Sequence, residues 1–412
     1  MSVDSVSALQ VLLIGLAVVL ASIVRGLAER RAQPALVGHL LLGVLLRSAD
    51  ARWGFMEPEI EAAFGLLSSL GVVALLFQVG LTSHPGSLVD KLPAASLLWL
   101  GNMVFAFAAG FLAVRWLLGG GLLPSLFVAT ALTATSVGVS VSVWSESGAL
   151  DSPNGQLTVD VAELDDIGGV ALMALLFAVA PGLRGEGAVW GPLASTFGQF
   201  VLRFAAFAAF CYLFSRTIER WVTRGAWKLP RDAERMTVVV GTGFVIASLA
   251  GWLGFSLAIG ALFAGLVFSH DRRAVRTEKS FGDLYAFFTP FFFIDIGYHV
   301  DPAALGGAAS VAAWIFVAAV VGKLLGIGLP ALLVRDARGA LLLGLSMVPR
   351  AEIAMIVIHH GHRLGDDVVS AELYSAMVLV SVLTCLVAPL GLRPLLERWP
   401  QTADDGAERA AD

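Results

Sequence analysis

The stretch LTVDVAELDDIGGVALMALLFAVAP, residues 157–181, holds four acidic side chains in a segment that is otherwise apolar and long enough to cross a membrane. We expect Asp160 at the water boundary, whereas Asp165 and Asp166 lie deeper and precede a long apolar run. Ionisable groups inside a bilayer are costly, and they mark ion and proton pathways. The alternative is a helix that begins later, with the acids in a loop, but too short a span would then remain after Gly168.

The composition of the chain indicates a protein embedded in lipid. Of 412 residues, 57% are hydrophobic and 14% are charged, and the mean hydropathy is +0.82. A soluble domain carries about 25% charged residues, so most of this surface must face lipid. The two cysteines lie in apolar runs and predict no disulfide framework. No cleavable signal peptide is expected, because the first apolar run has no basic residue before it.

Thirteen segments are predicted to cross the bilayer as α-helices, which gives an all-α polytopic membrane protein. Strands are excluded because an open strand edge in lipid leaves backbone groups unpaired. The predicted spans are 8–24, 34–48, 62–82, 94–118, 122–145, 157–181, 195–215, 236–251, 253–269, 285–300, 308–333, 339–360 and 370–395.

The basic residues predict how these spans are oriented in the inner (plasma) membrane. With the N-terminus outside and the C-terminus in the cytoplasm, nineteen Lys and Arg residues lie in cytoplasmic segments and five on the opposite side. Cytoplasmic loops are enriched in basic residues, which favours this orientation. Residues 1–400 are then one transmembrane domain, and 401–412 form a disordered cytoplasmic tail. No GxGxxG fingerprint follows the last span, so we expect no fused nucleotide-binding regulatory domain.

The fifth and twelfth spans contain stretches that suit a continuous helix poorly. The fifth includes TATSVGVS, residues 133–140, and the twelfth places Pro349 beside Arg350 and Glu352. Proline removes a backbone donor, and irregular backbone at membrane depth is tolerated only where it is buried in protein or lines a cavity. Kinked and hydroxyl-rich helices are common in membranes, but these two interruptions stand at corresponding positions of two halves.

An offset of seven spans inverts the topology of the second copy. We therefore expect inverted repeats at about 8–181 and 236–395, joined by a linker helix at about 195–215. Interrupted helices at matching positions of such repeats are the best sequence indication of a transport site.

Further charged residues are predicted within the spans. Lys323 lies deep in an apolar span and needs a carboxylate partner, for which an aspartate of the sixth span is the nearest candidate; snorkelling to water is the alternative. Arg350 and Glu352 either pair with each other or cap the ends of the broken helix. Asp295 is another buried acid, and the sequence does not show its partner.

The paired acids suit the binding of either a proton or a small cation. Adjacent side chains on a helix point about 100° apart, so one of Asp165 and Asp166 can face a cavity while the other meets a neighbouring helix. Carboxylate, hydroxyl and carbonyl oxygens bind small hard cations, whereas Cys or His would indicate softer metals.

These features together resemble the second branch of the monovalent cation:proton antiporter superfamily. The matching stretches follow one another in the order found in that family. They are 133–138 with 145–148, Asp165-Asp166 before Ile167-Gly168, 290–293 with Gly297, Gly322-Lys323, and 348–352.

The resemblance implies a homodimer of thirteen-helix subunits, each with a dimerisation domain and a mobile core domain that works by an elevator-like movement. It implies that Asp166 is the principal carboxylate for ion and proton, and that Asp165 pairs with Lys323 when no cation is bound. Two aspartates with a lysine resemble the electrogenic version found in this family, which moves more protons than cations. A part in pH homeostasis is expected of such an exchanger. The hydroxyl residues implied at the crossing of the broken helices, and hence at the Na⁺ or K⁺ site, are Thr133, Thr135 and Ser136.

The expected partners are protons and a monovalent cation, with Na⁺ favoured over K⁺ by the aspartate pair. No cofactor and no nucleic acid are expected. Members of the family usually have an apolar residue in place of Glu163 and a small or hydroxyl residue in place of Asp295. These two acids are therefore secondary site candidates, together with Arg350 and Glu352.

Three other functions compete with antiport. A cation channel is one, and a proton-coupled transporter of another solute, such as an organic anion, with Lys323 and Arg350 as counter-charges, is the second. An intramembrane aspartyl protease needs one aspartate on each of two facing helices, whereas the evident pair here is adjacent on one helix. The sequence therefore predicts a transporter and not an enzyme.

Overall fold

The computed structural model describes residues 3–30, 34–82, 92–184, 190–226, 228–229, 232–253, 255, 257–269, 278–300, 303 and 305–402. Within these ranges the regular structure is helical, and they contain no strand. The helices are α1 (Val3–Arg30), α2 (Ala35–Trp53), α3 (Pro58–Thr82), α4 (Leu92–Leu112) with a π-helical extension (Ala113–Leu117), α5 (Leu122–Thr133), α6 (Val137–Glu146), α7 (Pro153–Leu183), α8 (Trp190–Thr217), α9 (Glu219–Ala226), α10 (Asp232–Trp252), α11 (Leu257–Phe268), α12 (Glu278–Tyr298), α13 (Leu305–Ala331), α14 (Ala337–Ser346), α15 (Glu352–Leu364) and α16 (Ala371–Arg398).

Each predicted span coincides with a helix or with a pair of short helices, so the all-α polytopic prediction is confirmed. Among the described residues, seven helices are long and apolar enough to cross a membrane, judged by length and composition. Three shorter apolar helices are α5, α11 and α14. The tail predicted for 401–412 falls outside the described residues from 403 onward.

The first of two compact units comprises Met1–Ile23, His39–Gly86 and Ala174–Gly297. In it α11 packs along α3 and α10. A second contact joins α3 to α12, where the rings of Phe64 and Phe291 meet edge-on with centroids 5.9 Å apart. This edge-to-face geometry is favoured by the aromatic quadrupoles and adds to the burial of apolar surface.

The second unit comprises Val24–Gly38, Ser87–Met173 and Tyr298–Asp412. It contains both interrupted spans, α5 with α6 and α14 with α15, and in it α13 packs against α4, α14 and α16. All site residues predicted from the sequence lie in this unit except Asp295. Its apolar core between α4, α7, α13 and α14 contains Ala95, Leu98, Leu157, Val161, Ala162, Ile327, Ala331, Ala340, Leu343 and Met347.

The two interruptions meet inside this unit, as the predicted crossing of broken helices requires. The Ser136 N–H, in the gap between α5 and α6, donates to the Pro349 carbonyl in the gap between α14 and α15 at 2.9 Å. Behind it, Ser140 Oγ donates to the Ser346 carbonyl at 2.5 Å, and Trp144 Nε1 donates to Ser346 Oγ at 2.8 Å. Side chains and loops thus satisfy backbone groups that the short helices leave open at their ends.

Glycines let α4 and α13 approach closely where the site is built. A Cβ at Gly326 would lie 2.9 Å from the Gly101 carbonyl oxygen and 3.0 Å from the Asn102 Cα, closer than nearly all real Cβ contacts. Small residues at helix interfaces are typical of membrane proteins because they allow the backbones to pack. This close approach sets the positions of Asn102 on α4 and Lys323 on α13.

Gly326→Val should therefore force α4 and α13 apart. Overpacking of a tight contact costs about 1–3 kcal/mol, so the variant should unfold at lower temperature in detergent. Gly306→Val is the matched control, because Gly306 is on the same helix and a Cβ there would meet nothing within 4 Å. Equal melting temperatures for the two variants would contradict this packing.

Candidate functional site

The Asp165 carboxylate is fully buried and hydrogen bonded on both oxygens. Asn102 Nδ2 lies 2.6 Å from Oδ1 and 2.6 Å from Oδ2. Thr135 Oγ1 donates to Oδ2 at 2.6 Å, and Lys323 Nζ lies 3.2 Å from the same oxygen. Both side chains of the Lys323–Asp165 ion pair are 0% exposed. A buried ion pair of this kind persists only where further hydrogen bonds satisfy its remaining groups, as they do here.

The Lys323 ammonium is satisfied by the same break in the helix. It donates to the Thr133 carbonyl at 2.7 Å and to Thr135 Oγ1 at 2.7 Å, in addition to Asp165. Thr135 Oγ1 therefore accepts from the lysine and donates to the aspartate, which links all three groups. The span-six partner predicted for Lys323 is Asp165.

Two cations lie at the carboxyl ends of the half-helices. Lys323 contacts the carbonyl of Thr133, the last residue of α5, and Arg350 Nη1 donates to the carbonyls of Ala134 at 2.9 Å and Met347 at 3.1 Å, which follow α5 and α14. The carboxyl end of a helix carries partial negative charge, so positive side chains stabilise it.

An acidic side chain lies at the amino ends of α6 and α15, the half-helices that follow the two breaks. Glu352 is the first residue of α15, and its carboxyl group lies beside the side chain of Ser136, the residue that precedes α6. Amino ends of helices carry partial positive charge and favour a carboxylate. Among the described residues Arg350 forms no ion pair with Glu352; the two side chains cap helix ends instead.

The remaining predicted acids have different surroundings. Asp166 is half-buried on α7, next to Asp165. The backbone of Glu163 belongs to the same helix, but its side chain lies outside what the structure describes. Asp295 belongs to the first unit, where Ser68 Oγ donates to its Oδ2 at 2.9 Å. Ser68 is a partner that the sequence did not show.

The structure adds Asn102 to the site, a residue that the sequence analysis missed. It stands in the middle of a span, in LLWLGNMVF, residues 97–105. A lone amide in such an apolar run is a signal of a buried polar contact. Asn102 is fully buried, and its amide group is the donor that meets both oxygens of Asp165.

Comparison with known proteins identifies the family. The family described as "Sodium/hydrogen exchanger, transmembrane" matches residues 16–398. The chain belongs to this family. The resemblance to the monovalent cation:proton antiporter superfamily is thereby confirmed, and so is the expectation of a multi-pass membrane transporter and not an enzyme. The orientation of the termini in the membrane stays a prediction.

Individual relatives of this exchanger agree with the family match. The High-affinity Na(+)/H(+) antiporter NhaS3 of Synechocystis sp. is 27% identical over 374 residues, which cover 89% of this chain and 78% of that protein. The Na(+)/H(+)-K(+) antiporter GerN of Bacillus cereus is 27% identical over 387 residues, covering 93% and 94%. The structure of the sodium proton antiporter MjNhaP1 from Methanocaldococcus jannaschii matches with a TM-score of 0.72 at 16% identity, covering 95% and 98%, and so has the same fold.

Lys323→Ala should destabilise this exchanger strongly, because it leaves the Asp165 carboxylate buried without its counter-ion. Removing one partner of a buried ion pair costs about 3–5 kcal/mol, which thermal unfolding in detergent without Na⁺ will detect. The control is Arg393→Ala, which removes the exposed pair with Glu146 at 2.6 Å. Exposed pairs contribute about 0–1 kcal/mol. Similar melting temperatures for the two variants would show that the buried pair does not stabilise the fold.

Asn102→Leu should also lower the melting temperature, since Leu has a similar size but donates no hydrogen bond to Asp165. A hydrogen bond to a charged group contributes about 1.5–3 kcal/mol. Asn102→Gln, which keeps the amide on a longer side chain, is the comparison. If the leucine variant is as stable as wild type, Asp165 does not depend on this amide.

Proposed function

We propose that this exchanger moves a monovalent cation, Na⁺ in preference to K⁺, across the cell membrane in exchange for protons. The observation that supports the proposal is the fully buried Asp165–Lys323 pair at the crossing of two broken helices. The names of relatives that act on Na⁺, K⁺ and H⁺ support it independently.

The exchange is proposed to run through neighbouring carboxylates on α7. Asp166, half-buried and adjacent to the ion pair, is the principal group that holds either a proton or the cation. Thr133, Thr135 and Ser136, at the break between α5 and α6, are assigned as further oxygen ligands, because oxygen ligands suit Na⁺ and K⁺. No cofactor takes part in this scheme.

In this scheme Lys323 competes with the transported cation for the Asp165 carboxylate. Its ammonium occupies an oxygen of Asp165. A cation that binds to this carboxylate displaces the ammonium, and the displaced lysine then releases a proton. Together with the proton from Asp166, more than one proton moves for each cation, so the exchange is electrogenic.

Alternating access is proposed to follow the family's elevator-like movement, in a homodimer. The second unit carries the ion pair and both broken helices, which supports its assignment as the mobile core domain. A pH-homeostatic role follows from cation:proton exchange at the cell membrane.

Asp166→Asn should abolish cation-dependent proton movement while the protein remains folded. Purified protein in proteoliposomes with an imposed pH gradient and a lumenal pH dye is tested with Na⁺, K⁺, Li⁺ and choline. Asp160→Asn, an acid six residues earlier on α7, is the matched control and should keep wild-type exchange.

The outcomes separate the competing functions. Dissipation of the gradient by Na⁺ or K⁺ in wild type and in Asp160→Asn, but not in Asp166→Asn, supports antiport and names the cation. Wild-type exchange in Asp166→Asn would contradict the assigned carboxylate. Proton movement with no cation but with an organic anion would favour the transporter of another solute, and cation flux without proton movement would favour a channel.

A further inference from the structure

Four of the seven histidines of the chain stand near the ends of two predicted spans and belong to the second unit. They are His299 and the three histidines of the stretch HHGH, residues 359–362. His299 follows α12, and the other three lie near the carboxyl end of α15. With the N-terminus outside, spans ten and twelve both run outward, so the predicted orientation places these histidines at the external face.

The imidazoles of His299 and His359 lie close enough to share one metal ion. Their ring centroids are 5.2 Å apart and their planes are 86° apart. A ring nitrogen of one lies within 4.8 Å of a ring nitrogen of the other. Two Zn–N bonds of a tetrahedral site hold their nitrogens about 3.4 Å apart, so a small rotation of the rings suffices. Imidazole nitrogen is a preferred ligand of Zn²⁺ and related divalent transition metals.

The hydroxyl of Tyr374 orients one of these two rings. Tyr374 Oη lies 3.3 Å from Nδ1 of His359, and the tyrosine is buried in the first turn of α16. A histidine that binds a metal commonly engages its second ring nitrogen in a hydrogen bond, which fixes both the ring and its tautomer. Since Nδ1 of His359 is engaged by the tyrosine, Nε2 is the nitrogen that would bind the metal.

The carboxyl end of α15 is held in place around this pair. His362 Nδ1 donates to the Val369 carbonyl at 2.9 Å, and its ring lies against that of Tyr374 with centroids 4.7 Å apart. A Cβ at Gly361 would lie 2.6 Å from Val369 Cγ2, so a larger residue would push the helix end away. His362 and Gly361 therefore fix the end of α15, which sets the position of His359.

We propose that His299 and His359 bind a divalent transition-metal ion with the chemistry of Zn²⁺, and that the bound ion slows exchange. Water completes its coordination. The two ligands belong to different segments, because one follows α12 and the other lies near the carboxyl end of α15. A bound metal joins these segments and so restrains α15, the half-helix that begins at the crossing with Glu352. The slowing of exchange rests on the proposed function, whereas the binding of the metal does not.

Calorimetric titration with Zn²⁺, on protein in detergent without a polyhistidine tag, tests the site. Wild type should bind Zn²⁺ at micromolar concentration and should not bind Mg²⁺, which prefers oxygen ligands. His299→Gln and His359→Gln should each weaken Zn²⁺ binding at least about a hundredfold, and Tyr374→Phe, which removes only the hydroxyl, about tenfold. His360→Gln is the matched control and should bind as wild type does, because adjacent side chains on a helix point about 100° apart.

Exchange in proteoliposomes tests the regulatory part of the proposal. Zn²⁺ on both sides of the membrane should slow wild-type exchange at least about fivefold, an ordinary size for coupling between two sites. EDTA should restore the rate. Without Zn²⁺, His299→Gln and His359→Gln should exchange as wild type does, and Zn²⁺ should not slow either variant.

Binding and exchange are separate measurements, so this inference and the proposed function can fail independently. If Zn²⁺ binding depends on both histidines but wild type exchanges no cation, the metal site stands and the antiport proposal fails. If wild type exchanges cations and both variants bind Zn²⁺ as wild type does, the metal site is wrong. Zn²⁺ that binds at these histidines but leaves the exchange rate unchanged would contradict the regulatory role. Should His359→Gln not fold, His299→Gln, on a different segment, decides the same questions.

Discussion

Two opposite charges buried within the membrane-spanning part of the chain, on Asp165 and Lys323, impose the constraint on which the rest of the second unit depends. Neither side chain reaches water, so each needs partners from other helices. Asn102 from α4 and Thr135 from the first break supply them. The glycine contact lets α4 and α13 lie close enough for Asn102 and Lys323 both to reach Asp165, because a larger residue at Gly326 would separate the two helices.

At the crossing of the broken helices, too, each charged group or open helix end is placed next to a group of opposite charge. Carboxyl ends of α5 and α14 meet positive groups from Lys323 and Arg350, and the amino ends of α6 and α15 meet Glu352 and the Ser136 side chain. Such ends cannot be left open at membrane depth, where water does not satisfy them. In the proposed exchange, the Asp165–Lys323 pair both stabilises the first break and takes part in ion movement.

Much of this architecture was predictable because a segment that crosses lipid must be apolar and must satisfy its backbone hydrogen bonds within the protein. Each span predicted from hydropathy coincides with a helix or a pair of short helices. Pro349 and the hydroxyl-rich stretch at 133–140 located both breaks. The partner of Lys323 was predictable as a span-six aspartate, but the choice between Asp165 and Asp166 depends on helix rotation, which the residues alone do not fix. Family resemblance supplied that choice.

The missed contacts share a physical cause. Asn102 and Ser68 are single polar residues in apolar runs, and their partners lie 63 and 227 positions away in the chain. A sequence shows that such a group needs a partner, but the packing of helices decides which one it meets. The same holds for Arg350: pairing with Glu352 and capping of the break were both open, and the convergence of the two breaks on its guanidinium group was not visible in the sequence.

The response of wild-type exchange to membrane voltage tests the central claim, that a cation displaces Lys323 from Asp165, most directly. Proteoliposomes loaded with Na⁺ acidify inside as Na⁺ leaves and protons enter, and an inside-negative potential is then imposed. If the lysine releases its own proton in addition to that of Asp166, net positive charge enters and the potential should speed acidification. An acidification rate that the potential does not change would mean one proton for each cation and would contradict the release of a proton by the displaced Lys323.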